Sequence, residues 1–397
     1  MTTDDQLDRL MRGVDVVQPR SALEAKLAKG MPLRVKLGLD PTAPAVTLGW
    51  AVVLRKLAHF QELGHTAVLI VGDFTAQVGD PSGKSETRRR LSHAEVMGYA
   101  DAILEEFKRV LLPEPLEIRY NSEWLGALDM AGLLELTSKA TVAQMLERGD
   151  FAKRFESNNP ISVMEFLYPL LQGYDSVAIE ADVELGGSDQ LWNLMMGREV
   201  QRGYGMDPQV ALTMPLLVGT DGHQKMSQSL DNFIGVAEAP TEQFGKTMSI
   251  PDELIVQWFE LATEVPLEEI DAIRTGLADG SLHPNATKRR LAREIVTLYH
   301  DAEAAAGAEA AFDTVHKRHE IPEDIAGHAL GTDDPVSLPV LIRDAGLAAS
   351  GGEARRLIQQ GAVRVDGEIV TEVEVGRATL AGAVLQVGKR RFVRLTG

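Results

Sequence analysis

The chain has 397 residues, 44% of them hydrophobic and 25% charged, which is too much for one small core and ordinary for a folded protein of two or three domains. Disordered, collagen-like and membrane-embedded chains are excluded; the longest apolar run, near residues 66–71, is far short of the ~20 residues a bilayer span needs. There is no cysteine, so disulfides, thiolate nucleophiles and cysteine-bound zinc are ruled out, and a net charge of −18 argues against a surface coated for nucleic acid.

That charge is uneven. From residue 335 onward nine basic residues outweigh six acidic ones, so the tail faces a different partner from the rest. The first residues, acidic and polar, do not resemble a signal peptide, and a cytoplasmic protein is expected.

Residues 35–40 read as a short strand running into Pro41 and Thr42. Residues 49–63 carry apolar side chains largely on one side of a helix, and 66–72 form a β-branched apolar run suited to a strand buried on both faces. Strand, helix, strand is a right-handed parallel unit. A helix over 92–112 and strands at 116–120 and 210–218 extend this α/β layout, in which ligands sit at the carboxyl ends of strands. After about Asp231 the pattern is helical: 241–246, 252–262, 267–278, 286–300 and 302–316. Residues 321–335, with proline, glycine and aspartate, read as a linker. Two short helices (339–346 and 350–360) and a strand–turn–strand (362–365, then 369–375) follow.

Four segments carry candidate chemistry. Gly79-Asp80-Pro81-Ser82-Gly83-Lys84-Ser85 is one residue short of a G-x-x-x-x-G-K-S phosphate loop, because Val78 stands where the first glycine belongs. Read alone it is equally a surface turn, but the buried strand before it favours a ligand role. In Gly186-Gly187-Ser188-Asp189-Gln190 the glycines permit close backbone approach and Asp189 is placed to hold a ribose hydroxyl; a capped helix start fits as well. Residues 221–229 form a polar loop whose Lys225 can reach an anion, or a plain surface loop. On a helix, Tyr168, Gln172 and Asp175 fall at i, i+4 and i+7, giving a phenol, an amide and a carboxylate on one stripe, which suits either a small polar ligand or a half-exposed face.

Taken together and in order, these segments resemble the bacterial tyrosyl-tRNA synthetases, class I aminoacyl-tRNA synthetases, over nearly the whole length. The resemblance rests on Lys36-Leu-Gly-Leu-Asp-Pro-Thr-Ala-Pro, Gly72-Asp-Phe-Thr, Gly79-Asp-Pro-Ser-Gly-Lys, Tyr120-Asn-Ser-Glu-Trp, Gln172-Gly-Tyr-Asp and Gly186-Gly-Ser-Asp-Gln. It continues through Met214-Pro-Leu-Leu-Val-Gly, Lys225-Met-Ser, Met248-Ser-Ile-Pro-Asp and Lys288-Arg-Arg-Leu-Ala-Arg-Glu. Residues 353–367 are similar to the RNA-binding fold named after the fourth protein of the small ribosomal subunit.

The resemblance implies a Rossmann-type parallel-sheet domain over 1–231, with a homodimerising insertion at about 124–162. It further implies a helical anticodon-binding domain over 232–320, a linker over 321–335 and a small α+β RNA-binding domain over 336–397. The implied reaction joins tyrosine to ATP, with magnesium and no tightly bound cofactor, and passes the tyrosyl group to the 3′ end of tRNA(Tyr). No zinc or other metal site is expected. By the same resemblance Asp80, Tyr168 and Gln172 hold the substrate ammonium and Asp175 meets the phenol, with Lys36, Gly38 and Gln190 completing the tyrosine site. Asp40, Thr42, Gly49, Gly187, Asp189, Met226 and Gln228 line the ATP side. Lys84, Arg88 and Lys225 are the cations near the phosphates. Arg355, Arg356, Arg364, Lys389, Arg390 and Arg391 are placed to meet RNA phosphates.

The pattern breaks in one region. The family's His-x-Gly-His signature reads Thr47-Leu48-Gly49-Trp50, and its Lys-Met-Ser-Lys-Ser loop reads Lys225-Met226-Ser227-Gln228-Ser229. Position 36 is lysine where many relatives carry a tyrosine that helps bind the phenol. Two histidines and a lysine are thus absent from the phosphate side, although Thr47, Trp50 and Gln228 each retain a neutral donor. Losing one positioned transition-state donor typically costs ~10²–10³ in rate. Two readings follow: a tyrosine–tRNA ligase with a rearranged phosphate site, or a synthetase-derived paralogue that binds tyrosine or tRNA with weak or no adenylation. A third, an ATP-independent reaction in the tyrosine pocket, carries less weight.

Overall fold

The computed structural model describes residues 2–41, 45–80, 92–317, 325–388 and 391–396. They form two compact units, residues 1–305 and 306–397.

The first unit is built on a six-stranded sheet of β1 (Val16–Gln18), β2 (Arg34–Leu39), β3 (Thr66–Val71), β4 (Leu116–Tyr120), β5 (Val183–Gly187) and β6 (Val210–Met214). The order is β1-β6-β5-β2-β3-β4; all pairs are parallel except β1 with β6, at one edge. Chain order reverses between β2 and β5, the switch point where α/β sheets open a crevice beyond their strand ends.

Helices α1 (Thr3–Met11) and α2 (Arg20–Ala28) precede β2, and α3 (Leu48–Glu62) joins β2 to β3. Thr47 caps α3: its Oγ1 accepts the amide of Trp50 at 3.3 Å, satisfying a donor that the first turn leaves open. The single turn α4 (Thr75–Val78) and α5 (His93–Phe107) lead to β4. Between β4 and β5 lie α6 (Ser122–Leu125), α7 (Met130–Thr137), α8 (Val142–Met145), α9 (Gly149–Glu156) and the long α10 (Val163–Ala178), followed after β5 by α11 (Leu191–Gly203). Leu125, Leu136, Met145, Leu170, Leu171, Met196 and Val200 form a core of their own there.

The helices α12 (Pro240–Met248), α13 (Ile255–Ala262), α14 (Leu267–Asp279) and α15 (Pro284–Tyr299) follow the sheet, as the sequence predicts. The apolar faces of α13, α14 and α15 share one continuous core with it, running from Leu7 and Leu54 through Leu212 to Trp258, Ile295 and Tyr299. A polar tie reinforces this contact: Arg55 on α3 and Arg12 both donate to the carbonyl of Thr263 (2.8 and 3.1 Å), and Arg55 and His59 meet Glu264. Helix α16 (Ala302–Lys317) begins at the end of this unit.

The second unit holds β7 (Gly327–Ala329), β8 (Val336–Ser337), α17 (Leu338–Asp344), α18 (Gly351–Gln359), β9 (Val363–Val365), β10 (Glu368–Ile369), β11 (Glu374–Val375), α19 (Arg377–Leu380), β12 (Val384–Val387) and β13 (Arg391–Thr396). Residues 327–329, read from sequence as linker, are instead a strand parallel to β13. The single strand predicted at 369–375 is two: β10 pairs with β9, and β11 turns away to pair with β8. Among the described residues no helix is long and apolar enough to cross a membrane.

Candidate active site

Beyond the carboxyl ends of β2 and β5 lies a cavity of about 1220 Å³. Asp40, just past β2, and Gly72, just past β3, sit on its floor. A side chain at position 72 would overlap Asp40 Oδ1 and Thr75 Oγ1, and one at Gly187 would come within 2.8 Å of Asp189 Oδ1 and 2.9 Å of Leu216 Cδ2, so glycine keeps both turns open.

Helix α10 presents Tyr168, Gln172 and Asp175 to the cavity as one stripe. Asp175 accepts the indole N–H of Trp124 at 2.8 Å and the Asn121 amide at 3.3 Å. Burial pushes its carboxyl up to about 6, against the pull of Lys36 and of these two donors. The Asn121 amide also donates to Thr75 Oγ1 (3.0 Å), and Thr75 donates in turn to Asp40 Oδ1 (2.7 Å). The phenol of Tyr168 donates to Asp40 Oδ2 at 2.9 Å. Burial raises the Asp40 carboxyl to about 7; the Thr75 bond opposes this and the charge of Asp80 adds to it. Burial, together with Asp40, also raises the Tyr168 phenol well above its ordinary value, so it stays a donor.

Lys36 does not line the cavity. Its side chain is fully buried behind α10, where Nζ donates to the carbonyl of Gln172 and to Ser176 Oγ, both at 2.8 Å, and pairs with Glu184 at 2.9 Å. Glu184 also accepts Gln172 Nε2 at 3.0 Å, which leaves Gln172 Oε1 with no hydrogen-bond partner among the described residues. Along the side wall, Gln190 donates to Asp80 Oδ2 at 3.0 Å and accepts from Asn193 at 2.9 Å.

The opposite end of the cavity is framed by the start of α3 and residues 225–230. The Gly49 amide meets Met226 Sδ at 3.3 Å, and the Gln228 amide donates to the Ala45 carbonyl. Lys225 Nζ pairs with Asp189 Oδ2 at 2.8 Å. Trp50 lies against Phe107, ring centroids 6.5 Å apart and planes 24° from parallel, with 40% of the residue exposed. The arrangement sets the buried Asp175 carboxylate and the Tyr168 phenol on one stretch of the cleft and the Lys225 ammonium beside the Asp189 carboxylate on another, polar groups placed to orient a small charged ligand.

The family described as tRNA synthetases class I (W and Y) matches residues 28–317, which include every residue lining the cavity. This chain belongs to that family. The S4 domain family matches residues 336–375. Among curated proteins the synthetase is similar to the tyrosine–tRNA ligase of Moorella thermoacetica, with 56% identity over 98% of this chain and 95% of that one, and to that of Geobacter sulfurreducens, with 48% identity over the full length of both. Among solved structures it shares its fold with the tyrosyl-tRNA synthetase of Archaeoglobus fulgidus complexed with L-tyrosine: TM-score 0.64, 24% identity, 77% of this chain and 99% of that one.

Of the residues singled out from the sequence of this class I synthetase, Gly38, Asp40, Thr47, Gly49, Trp50, Asp80, Tyr168, Gln172, Asp175, Gly187, Asp189, Gln190, Lys225, Met226 and Gln228 all line the cavity. Thr42, Lys84, Arg88, Lys389 and Arg390 lie outside the described residues. In the second unit Arg355 and Arg356 are exposed on α18, and Arg364 and Arg391 are exposed on the sheet. Asn121, Trp124, Thr75, Ser176 and Glu184 received no role from the sequence. Asn121, Trp124 and Thr75 lie inside the matched motifs, and Glu184, a carboxylate in an otherwise apolar strand, was the one local signal of a buried partner.

Proposed function

We propose that this class I synthetase is a tyrosine–tRNA ligase. The tyrosine carboxylate attacks the α-phosphate of ATP, pyrophosphate leaves, and the 3′-terminal ribose hydroxyl of tRNA(Tyr) then attacks the acyl carbon and releases AMP. ATP enters as its magnesium salt, and the metal neutralises charge on the departing pyrophosphate. The observation that carries this reading is Asp175. A buried carboxylate fixed by Trp124 and Asn121 is an acceptor for a phenol hydroxyl, and such a site rejects an analogue lacking it.

Asp80, Tyr168 and Gln172 receive the ammonium, Gln172 through its unpartnered Oε1. Gly38 and Gln190 flank it. Asp40, Thr42, Gly49, Gly187, Asp189 and Met226 take the adenosine side, and Lys225 with Lys84 and Arg88 the phosphates. Catalysis is positioning and charge stabilisation, with no covalent enzyme intermediate.

Residues 232–320 approach the anticodon. Arg355, Arg356, Arg364, Lys389, Arg390 and Arg391 meet the RNA backbone, in a cytoplasmic homodimer joined through residues 124–162. The exposed Met130, Leu134, Val142 and Phe155 support that interface. Tyrosine-dependent ATP–pyrophosphate exchange followed by charging of tRNA(Tyr) tests the assignment; exchange with tyrosine and not with phenylalanine is the expected result.

One observation favours a second reading. Thr47 is engaged as a helix cap, Trp50 lies on Phe107 and Gln228 binds Ala45, so none of the three supplies charge at the phosphate end. A paralogue that binds tyrosine or tRNA without forming the adenylate fits that arrangement. Tyrosine binding without exchange establishes it.

A further inference from the structure

Lys36 and Glu184 are the most deeply buried ionic pair of the molecule's described residues, at 0% and 1% side-chain exposure. Two buried charges are expensive, and a pair of this kind is often no more stabilising than apolar residues of the same size. Packing alone therefore gives little reason for it. Its surroundings give a better one. Lys36 Nζ grips α10 at two points one turn apart, the Gln172 carbonyl and Ser176 Oγ, and Asp175 lies between them in the chain. Lys36 thus stands directly behind the stripe that faces the cavity, while its partner Glu184 reaches the cavity wall beside Gln172.

We propose that Lys36 is the positioning residue of the amino-acid pocket: from behind α10 its ammonium fixes the helix face bearing Gln172 and Asp175, so that the Asp175 carboxylate is held where it can accept a phenol hydroxyl. This deepens the tyrosine–tRNA ligase reading and rests on it. Lys36 acts through Asp175 and Gln172, since it has no surface in the cavity.

The charges around Asp175 give the proposal a sign. From β2 Lys36 favours the carboxylate, and from β5 Glu184 opposes it. Asp40, past the end of β2, and Tyr168, on α10, feel the charge of Asp175 in turn, while Trp124 and Asn121 are neutral donors that favour the anion. Lys36 is the largest of the influences that counter burial. Removing both charges of the pair therefore raises the Asp175 carboxyl. Removing only Glu184 lowers it.

The test is calorimetric binding of tyrosine and phenylalanine to the full chain between pH 5.5 and 8.5, which needs no adenylation. In the unaltered protein tyrosine affinity weakens below about pH 6, where Asp175 takes up its proton. In Lys36→Met/Glu184→Gln, an uncharged pair of similar size, the midpoint moves up by about one pH unit, the low end of the effect of a neighbouring opposite charge. Preference for tyrosine over phenylalanine at pH 7 falls about tenfold, a tenfold ratio being 1.4 kcal/mol. In Glu184→Gln the midpoint moves down instead. Shifts of opposite sign support the proposal, because a purely structural role moves both variants alike. If the double variant fails to fold, Lys36→Gln with Glu184 kept decides instead: its midpoint moves up if the proposal holds, and an unchanged midpoint overturns it. Unchanged midpoints with tyrosine still bound overturn the proposal and leave the ligase reading standing. No tyrosine binding by the unaltered chain overturns the ligase reading and this inference with it.

Discussion

Lys225 Nζ stands 2.8 Å from Asp189 Oδ2, so the loop after β6 is tied to the turn after β5 across the cleft. An arriving nucleotide carries groups for both partners: hydroxyls that donate to a carboxylate and phosphates that attract an ammonium. Lys225→Met removes a cation that the proposed function assigns to the phosphates. Pyrophosphate exchange should fall by about 10²-fold or more, the usual cost of one transition-state donor, while tyrosine affinity measured by calorimetry stays within a factor of about two.

Asp40 is raised to about 7 chiefly by burial, so its folded carboxyl lies above its unfolded value of 3.8. The folded state then holds this proton more tightly than the unfolded one. Its stabilising effect is present at low pH and is lost as pH rises through about 7. Asp40→Asn, whose amide can still pair with the hydroxyls of Thr75 and Tyr168, should melt a few degrees above the unaltered protein at pH 8, on the order of 1 kcal/mol or more, and by a clearly smaller margin at pH 5. Thermal melts at the two pH values check this. Ligand binding should suffer in the same variant.

The start of α3 gives a trade between stability and rate. Thr47→His/Trp50→His removes the side-chain cap on the Trp50 amide and the ring packed on Phe107. Losing the cap alone costs about 1 kcal/mol, so the melting temperature should drop. Restored imidazole donors should nonetheless raise the exchange rate at least about tenfold without changing tyrosine affinity. A rate that stays flat while the protein melts lower would show that the histidines are not what limits activation.

The helices between β4 and β5 leave Met130, Leu134, Val142 and Phe155 between 63% and 70% exposed. Leu134→Glu/Phe155→Glu puts charges where two apolar faces would meet. Sedimentation velocity should show the unaltered chain as a dimer and this variant as a monomer at micromolar concentration, with α10 and the cavity intact by tyrosine binding.

The elements that stood out in the sequence are those in which one pattern dominates. The β-branched run of β3 and the i, i+4, i+7 stripe of α10 needed only local periodicity, and both appear where the spacing puts them. Strand β5 was harder. Val183-Glu184-Leu185-Gly186-Gly187 combines a charge with two glycines, which speaks against a central strand until Lys36, far away in sequence, supplies the counter-ion. In the second unit β9 was legible and β7 and β11 were not, for another reason: strands of two or three residues, here in two different sheets, take their identity from partners across the fold. At the site, the family motifs brought the ligand-facing residues forward, while Asn121 and Trp124 have roles that arise from whom they touch.

The Lys36 ammonium holds residue 172 by its main-chain carbonyl, which any residue placed there would also offer. The side chain at that position can therefore change while the helix keeps its anchor. On the proposed reading, a redesign at position 172 can then proceed with the Asp175 carboxylate, about one turn away, left in register, so two parts of amino-acid selection become separable along a single helix.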